Sequence, residues 1–430
     1  MITPRRQSIL QLISGALLQA VANSATALLS TMLLKPQDRG LMVVAVTIAS
    51  VCTLIGALGT GAGFRALLPS SVGRRGADLA AAYLWISIAA SVLAGLLAAL
   101  ACLVSARIVD PSLATGGLIV AVSMQVIALT IAAQTTEAWF AVGNFRAGAG
   151  WVAASAVAGF GAVALGAEIN RTPTGLMVWQ AVGLAFPTFI SLTRLLTKRV
   201  LTIRRPRIEA IQTLIALGAP SLGLVVGLNV VLRGDRYLLA VFTGTASVAV
   251  YSLAATIAES SRLVPAAMGQ IFYREVSLRA GIVSARTPYV QAVFFTSAAG
   301  IVVASAGWAA IPAIFGDTFA DARFLLFPLL LAEVAFAPFN VACRGLLGGG
   351  WTRAAGMLGT VGGILTLIAY AVLVKFFGVW GAASASIFAY GLLSLASVRV
   401  LRHKLTSTPI LGSRQVPILD VDIAYGVAGK

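Results

Sequence analysis

Residues 41–64 read LMVVAVTIASVCTLIGALGTGAGF, with no charged side chain between Arg39 and Arg65. A helix needs about 20 predominantly apolar residues to cross a hydrocarbon layer about 30 Å thick. This stretch meets that requirement, and its isolation between two arginines frames it as a membrane span. The same criterion, carried outward along the chain, predicts twelve spans at 9–33, 41–64, 79–105, 113–142, 149–168, 175–196, 210–232, 246–271, 288–314, 322–347, 353–374 and 379–400. Composition agrees: 59% of the 430 residues are hydrophobic and only 10% are charged, against about 25% charged in soluble domains. Met1-Ile2-Thr3-Pro4-Arg5-Arg6 forms a basic cap on the first span, which is expected to be kept as a signal anchor rather than cleaved.

The charges order these spans. If the amino terminus is cytoplasmic, the basic residues divide roughly three to one in favour of the cytoplasmic side, as the positive-inside rule requires. Arg74, Arg75, Arg146, Arg194, Arg204, Arg205, Arg207, Arg353 and Arg399 fall inside; Lys35, Arg107, Arg171 and Lys375 fall outside. Both termini are then expected in the cytoplasm, in a bacterial inner membrane. The net charge of +17 is accounted for mostly by this bias. It implies attraction to anionic membrane lipids and gives no reason to expect nucleic acid as a partner.

Enzyme chemistry finds few materials here. The single histidine, His403, sits in a basic tail, and Cys52, Cys102 and Cys343 lie scattered in apolar runs. No spacing suits a metal, a disulfide or a His-based nucleophile. No metal, no cofactor and no catalytic residue are expected.

A weak internal repeat divides the chain. Ala45-Val46-Thr47-Ile48-Ala49 resembles Ala254-Ala255-Thr256-Ile257-Ala258, and Gly143-Asn144-Phe145-Arg146-Ala147 resembles Gly350-Trp351-Thr352-Arg353-Ala354 at nearly the same offset. Six spans return the chain to its starting side, so the repeat predicts two parallel six-helix lobes around a central cavity. The expected division is a lobe over 1–197, a basic linker over 198–209, a second lobe over 210–404 and a flexible tail over 405–430. Pro187, Pro220, Pro265, Pro312, Pro328 and Pro338 lie within or near spans, as tolerated kinks or as hinges.

Glu137, Glu259 and Glu333 lie inside spans, where an ionised group costs about 2.5–3.5 kcal/mol and needs a cavity or a partner. Glu259 stands three residues before Arg262, so a local ion pair is expected. In the repeat register Glu137 corresponds to Arg344, which suggests a gate-like pair across the two lobes. Asn23, Gln134 and Asn229, like other neutral polar residues in the spans, suit either helix–helix adhesion or a wetted cavity.

Arg233-Gly234-Asp235-Arg236-Tyr237, followed by Val250-Tyr251-Ser252-Leu253-Ala254, resembles the Asp-Arg and Tyr-Ser-x-Ala signature of bacterial polysaccharide lipid flippases of the multidrug/oligosaccharidyl-lipid/polysaccharide (MOP) exporter superfamily. Leu34-Lys35-Pro36-Gln37-Asp38-Arg39-Gly40, Ile314-Phe315-Gly316-Asp317 and Phe377-Gly378-Val379-Trp380-Gly381 are similar to its first outer loop, its fifth outer loop and the start of its last helix. The resemblance implies a transporter that turns an undecaprenyl-diphosphate-linked oligosaccharide outward, working beside polysaccharide polymerase and assembly proteins. It makes Arg233, Arg236, Arg262 and Arg344 candidate counter-charges for the substrate, alongside Asn23, Asn229 and Gln134. Asp235, Glu137, Glu259 and Glu333 become candidates for gating or for coupling to H⁺ or Na⁺. The alternative is a cation-coupled small-molecule exporter of the same superfamily, with a membrane polymerase or ligase as a third reading. The first span offers Gln19 and Asn23 but no acid, and the outer loops are short and lack histidine; both features favour the flippase.

Overall fold

The computed structural model describes residues 4–71, 73–278 and 286–407, and these are helical, with no strand among them. The helices run α1 (Pro4–Leu33), α2 (Pro36–Gly56), α3 (Thr60–Leu67), α4 (Arg74–Ala106), α5 (Gly116–Ala141), α6 (Phe145–Gly166), α7 (Pro173–Thr197), α8 (Ile208–Thr243), α9 (Thr245–Glu259), α10 (Leu263–Leu278), α11 (Arg286–Phe315), α12 (Ala322–Gly348) and α13 (Thr352–Ser407). Nine segments are long and apolar enough to cross a membrane among the described residues, and α8, bent by 47° between Ala219 and Leu222, makes a tenth. The chain is a multi-pass membrane protein.

This differs from the expected twelve in two places. Helix α13 runs two expected spans together around Gly378, whose φ of 56° reverses the chain into two arms. The eighth expected span is divided into α9 and α10 by a 3₁₀ turn over Ser260–Arg262. The second span is broken too, at 57–59, where Leu58 takes a φ of 49°, a left-handed conformation that costs about 1–3 kcal/mol unless its surroundings hold it. Gln134 supplies that hold. Its Nε2 donates to the freed Ala57 carbonyl at 3.1 Å and to Thr60 Oγ1 at 3.2 Å, while Tyr83 donates to its Oε1 at 2.5 Å. Of the two roles its position allows, Gln134 fills that of helix–helix adhesion, at the break.

The elements recur in order: α1, α2–α3, α4, α5, α6 and α7 are followed by α8, α9–α10, α11, α12 and the two arms of α13. The first arm of α13 approaches α8 closely through Gly223 and Gly227 on one side and Gly359 and Gly363 on the other. A methyl on Gly227 would lie 2.1 Å from the Gly359 carbonyl. Small residues four apart allow this approach, as in many lipid-embedded helix pairs.

Three apolar cores show how the two sets of helices meet. One core is shared, joining Leu41, Val44 and Ile48 of α2 to Val248, Ala249 and Leu253 of α9. The other two are separate. One, around Phe272, Phe336 and Phe339, belongs to α8–α13; the other, around Phe64, Tyr83 and Trp139, belongs to α1–α7 with Leu214 of α8. The sets are thus joined at the end carrying Gly40, whose added methyl would meet the Thr245 carbonyl at 1.7 Å, and Ser105, whose hydroxyl lies 2.9 Å from that of Tyr237. They part toward the end where Arg65, Arg194, Lys198 and the linker collect.

Residues 198–207 join α7 to α8 and are fastened to the first set. Arg204 and Arg207 reach the buried Asp78 of α4 at 3.7 and 3.2 Å. Trp85 donates to the Arg204 carbonyl at 3.0 Å and Thr202 to the Ala77 carbonyl at 3.2 Å. The bend in α8, at Pro220 in the sequence, is where the chain passes to the second set; proline lacks the N–H that would continue the ladder. Of the expected tail, 405–407 continue α13 and 408–430 lie outside the described residues.

Asp78→Asn removes both charge contacts from the linker. At about 1 kcal/mol for partly exposed pairs, the open linker becomes roughly five-fold more populated, and trypsin is expected to cut after Arg204 and Arg207 faster by that factor. Unchanged cleavage kinetics would show that the ion pairs do not fasten it.

Candidate functional site

Six charged residues meet inside the second set, close to the level where the shared core gives way to the separate one. Arg233, Asp235 and Arg236 come from one face and its neighbour on α8, Glu259 from the last turn of α9, Arg262 from the 3₁₀ turn that follows, and Glu333 from the middle of α12. Arg262 and Glu333 form a two-pronged pair, with Nε donating to Oε2 at 2.8 Å and Nη2 donating to Oε1. The Arg262 guanidinium also lies over the Phe336 ring, 5.4 Å from its centre. Arg236 donates to Glu259 Oε1 at 2.5 Å, and Arg233 stands 3.4 Å from the other oxygen.

Asp235 is held differently. Tyr251 donates to its Oδ2 at 2.7 Å and the Arg236 backbone N–H to its Oδ1 at 2.8 Å, and it forms no ion pair among the described residues. Tyr370 and Tyr390 both donate to the Val231 carbonyl one turn away, at 3.1 and 3.3 Å. A small pocket opens among Asp235, Tyr251, Glu259, Arg262, Glu333 and Tyr390. Asp235, Arg236 and Glu333 are nearly inaccessible, while Arg233 keeps 35% of its side-chain surface and Glu259 20%. Arg233 and Glu259 thus keep the most exposure of the six, and Arg262, at 17%, follows them closely.

Two expected pairings are corrected. Glu259 does not pair with Arg262 along the helix. Arg262 takes Glu333 instead, because a guanidinium meets a carboxylate through two parallel bonds when it crosses between helices, and a single contact one turn away cannot match that geometry. Glu137 does not face Arg344 across the lobes. It pairs within its own set with Arg65 of α3, at 3.4 Å, and Arg65 also lies 5.9 Å from the centre of the Phe140 ring. Arg344 is exposed on α12 beside Gly269 and makes no ion pair among the described residues.

The remaining candidates separate. Asn229 stays at the junction of the two sets, its Oδ1 within 3.5 Å of Ser50 Oγ on α2. Asn23 is exposed on α1, apart from the cluster. Tyr251, Tyr370 and Tyr390 were not singled out from sequence. For Tyr251 the sequence carries a signal: Asp235-Arg236 and Tyr251-Ser252 are the two parts of the signature it resembles, and in the structure the two parts touch. Three arginines stand among the three acids, and no cluster of metal-ligating side chains occurs among the described residues. With all six residues ionised the charges cancel, an arrangement that can exchange one anion for another or take up a proton.

Glu333→Gln takes from Arg262 the carboxylate that holds it through two parallel bonds. Breaking one partner of a buried pair costs about 3–5 kcal/mol, so the variant is expected to unfold at a clearly lower temperature in detergent. Arg262→Gln combined with Glu333→Gln should recover part of that loss. Strictly additive losses would mean that the two residues act independently.

No family model matches this sequence, and no curated protein does. Solved structures match in fold. The lipid II flippase MurJ in an inward closed conformation aligns with a TM-score of 0.72 at 11% identity, over 90% of this chain and 88% of that chain. An inward-facing MATE-family multidrug transporter of the MOP superfamily gives 0.68 at 14% identity, over 90% and 94%. An outward-facing MATE-family transporter gives 0.60 at 13% identity, over 93% and 94%. The chain thus has the helical fold shared by MATE transporters and MurJ, both of the MOP superfamily.

Proposed function

We propose that this protein is a flippase for an undecaprenyl-diphosphate-linked oligosaccharide, moving it from the inner to the outer leaflet of a bacterial cytoplasmic membrane by alternating access. The observation that carries the reading is the set of three arginines gathered in the second set of helices, with Arg233 and Glu259 keeping the most exposure. A diphosphate presents paired oxygens of the kind a guanidinium holds in place of a carboxylate. The fold shared with a lipid II flippase supports the same reading, as does the signature around Asp235 and Tyr251.

The exchange runs through Glu259. Two arginines share this one carboxylate, and the Arg233 contact, at 3.4 Å, is the looser. Substrate phosphate displaces Glu259 from Arg233, and the released carboxylate takes a proton or turns wholly to Arg236. Loss of the substrate outward lets Glu259 release any proton it took up, return to Arg233 as a carboxylate and restore neutrality. Coupling to H⁺ thus needs no group beyond the six. Both termini lie in the cytoplasm in this reading, so the cleft between the separate cores opens inward and the shared core is the outer closure.

An organic-cation exporter fits the site less well, because a cation entering the cleft meets Arg233 first. The reading is of a transporter, not of an enzyme.

Deleting the gene is expected to trap saccharide-loaded undecaprenyl diphosphate on the cytoplasmic side. Wild-type protein relieves the block and Arg233→Gln does not, while Glu259→Gln binds the lipid but turns it over at least about ten-fold more slowly, the factor that corresponds to losing ~1.4 kcal/mol. Normal surface polysaccharide together with new drug sensitivity would favour the small-molecule exporter instead.

A further inference from the structure

The two arms of α13 diverge from Gly378 toward the basic end, and an apolar groove of about 350 Å³ lies between them. Its walls are Ala354 to Ala369 on the first arm and Phe388 to Val400 on the second, and Thr366 is the one lining residue with a polar side chain. The opposite side of the first arm is occupied, since Gly359 and Gly363 pack on α8. The groove side is not: Met357, Val361, Leu365, Phe388 and Leu392 are all exposed. This surface lies in the hydrocarbon region, so bulk lipid would satisfy it without any groove.

What distinguishes the groove is its mouth. Arg353 precedes the lining residue Ala354, and Arg399 precedes the lining residue Val400, so both arginines stand where the two walls end. Both are exposed, and neither forms an ion pair among the described residues. Arg402 follows less than one turn later and is also exposed. At 1.5 Å per residue the first wall extends roughly 22 Å and the second roughly 18 Å. One leaflet's hydrocarbon is about 15 Å deep. The groove therefore runs the full depth of the leaflet on the basic side, with cationic side chains at headgroup level.

We infer that the groove between the arms of α13 is a binding site for an anionic phospholipid of the basic-side leaflet, its acyl chain between the arms and its phosphate on Arg353 and Arg399. Basic pockets between membrane helices on the cytoplasmic side recognise acidic headgroups by this combination of depth and charge. The site is separate from the six-residue cluster, because Tyr370, Tyr390 and the packed face of α13 lie between them. An occupant here braces the arm that α8 packs on, so the lipid would stiffen the second set of helices without entering the cleft.

The test is native mass spectrometry of the purified full chain in detergent, with phosphatidylglycerol and phosphatidylcholine of matched chains added in equal amounts. Wild-type protein is expected to retain phosphatidylglycerol roughly thirty-fold over phosphatidylcholine, the scale set by two arginines near a headgroup. Arg353→Gln with Arg399→Gln should bring that ratio close to one, and Ala396→Trp, which fills the groove, should lower retention of both lipids. Both variants change partly or fully exposed positions, and their unfolding temperatures verify folding. Should either variant unfold, the wild-type comparison alone decides. Equal retention of the two lipids by wild-type protein overturns the inference, as does a preference kept by the double variant. Polyprenyl phosphate displacing phosphatidylglycerol at equal concentration would also overturn it, assigning the groove to a carrier lipid. Because the readout is lipid retention and not transport, its failure leaves the flippase reading untouched.

Discussion

A charge placed inside a helix bundle in hydrocarbon has to be answered by another, and the second half of this protein is organised around that demand. Arg262 sits where α9 breaks into α10, and Glu333 sits in the middle of α12. Their two-pronged contact ties the broken span to its neighbour. Each residue alone would carry a penalty of a few kcal/mol. Together they hold the 3₁₀ turn in one orientation, and that turn in turn fixes where Glu259, its immediate predecessor, presents its carboxylate.

The two sets of helices share an order of elements but not a chemistry. In the first set the break in the second span is satisfied by neutral groups, Gln134 reaching Ala57 and Thr60. At the corresponding break in the second set Ser260 and Ser261 donate to the Ile257 and Ala258 carbonyls, and an ion pair, Arg262 with Glu333, is added beside them. The Arg65–Glu137 pair of the first set lies toward the basic end, with its side chains partly exposed, and there the surrounding water reduces its weight. Buried charge occurs in both sets, as Arg39 and Asp78 in the first and Asp235, Arg236 and Glu333 in the second, but only in the second do the charges gather into one cluster. The linker fastened on Asp78 ties the first arm of α8 to the first set.

The helices were legible from apolar run length alone, and the linker from its arginines. Span breaks were not, because Leu58 and Gly59 sit within an unbroken apolar run and nothing local announces a left-handed residue there. Ion-pair partners were legible only as a set of candidates. All six cluster residues could be named from sequence, yet the choice of Glu333 over Glu259 for Arg262 depends on how α12 crosses the α9–α10 junction. The Arg65–Glu137 pair depends likewise on α3 lying across α5, where Gly61 is so close to Glu137 that an added methyl would fall 2.6 Å from its Cγ.

The stretches that carried the family resemblance divide into two physical kinds, which bears on how far such a resemblance reaches. Gly378 turns the chain between the arms of α13, and a methyl on Gly381 would lie 1.9 Å from the Leu373 carbonyl. Gly40 lets α2 meet the start of α9. These residues serve the scaffold and would be needed whatever the protein carried. Asp235, Arg236 and Tyr251 are of the other kind, since the hydrogen bond joining them serves no turn and sits beside the pocket. Glu259 and Arg262 are the pocket's partly accessible charged members, so one carboxylate and one guanidinium face it together, with Arg233 standing against the far oxygen of that carboxylate.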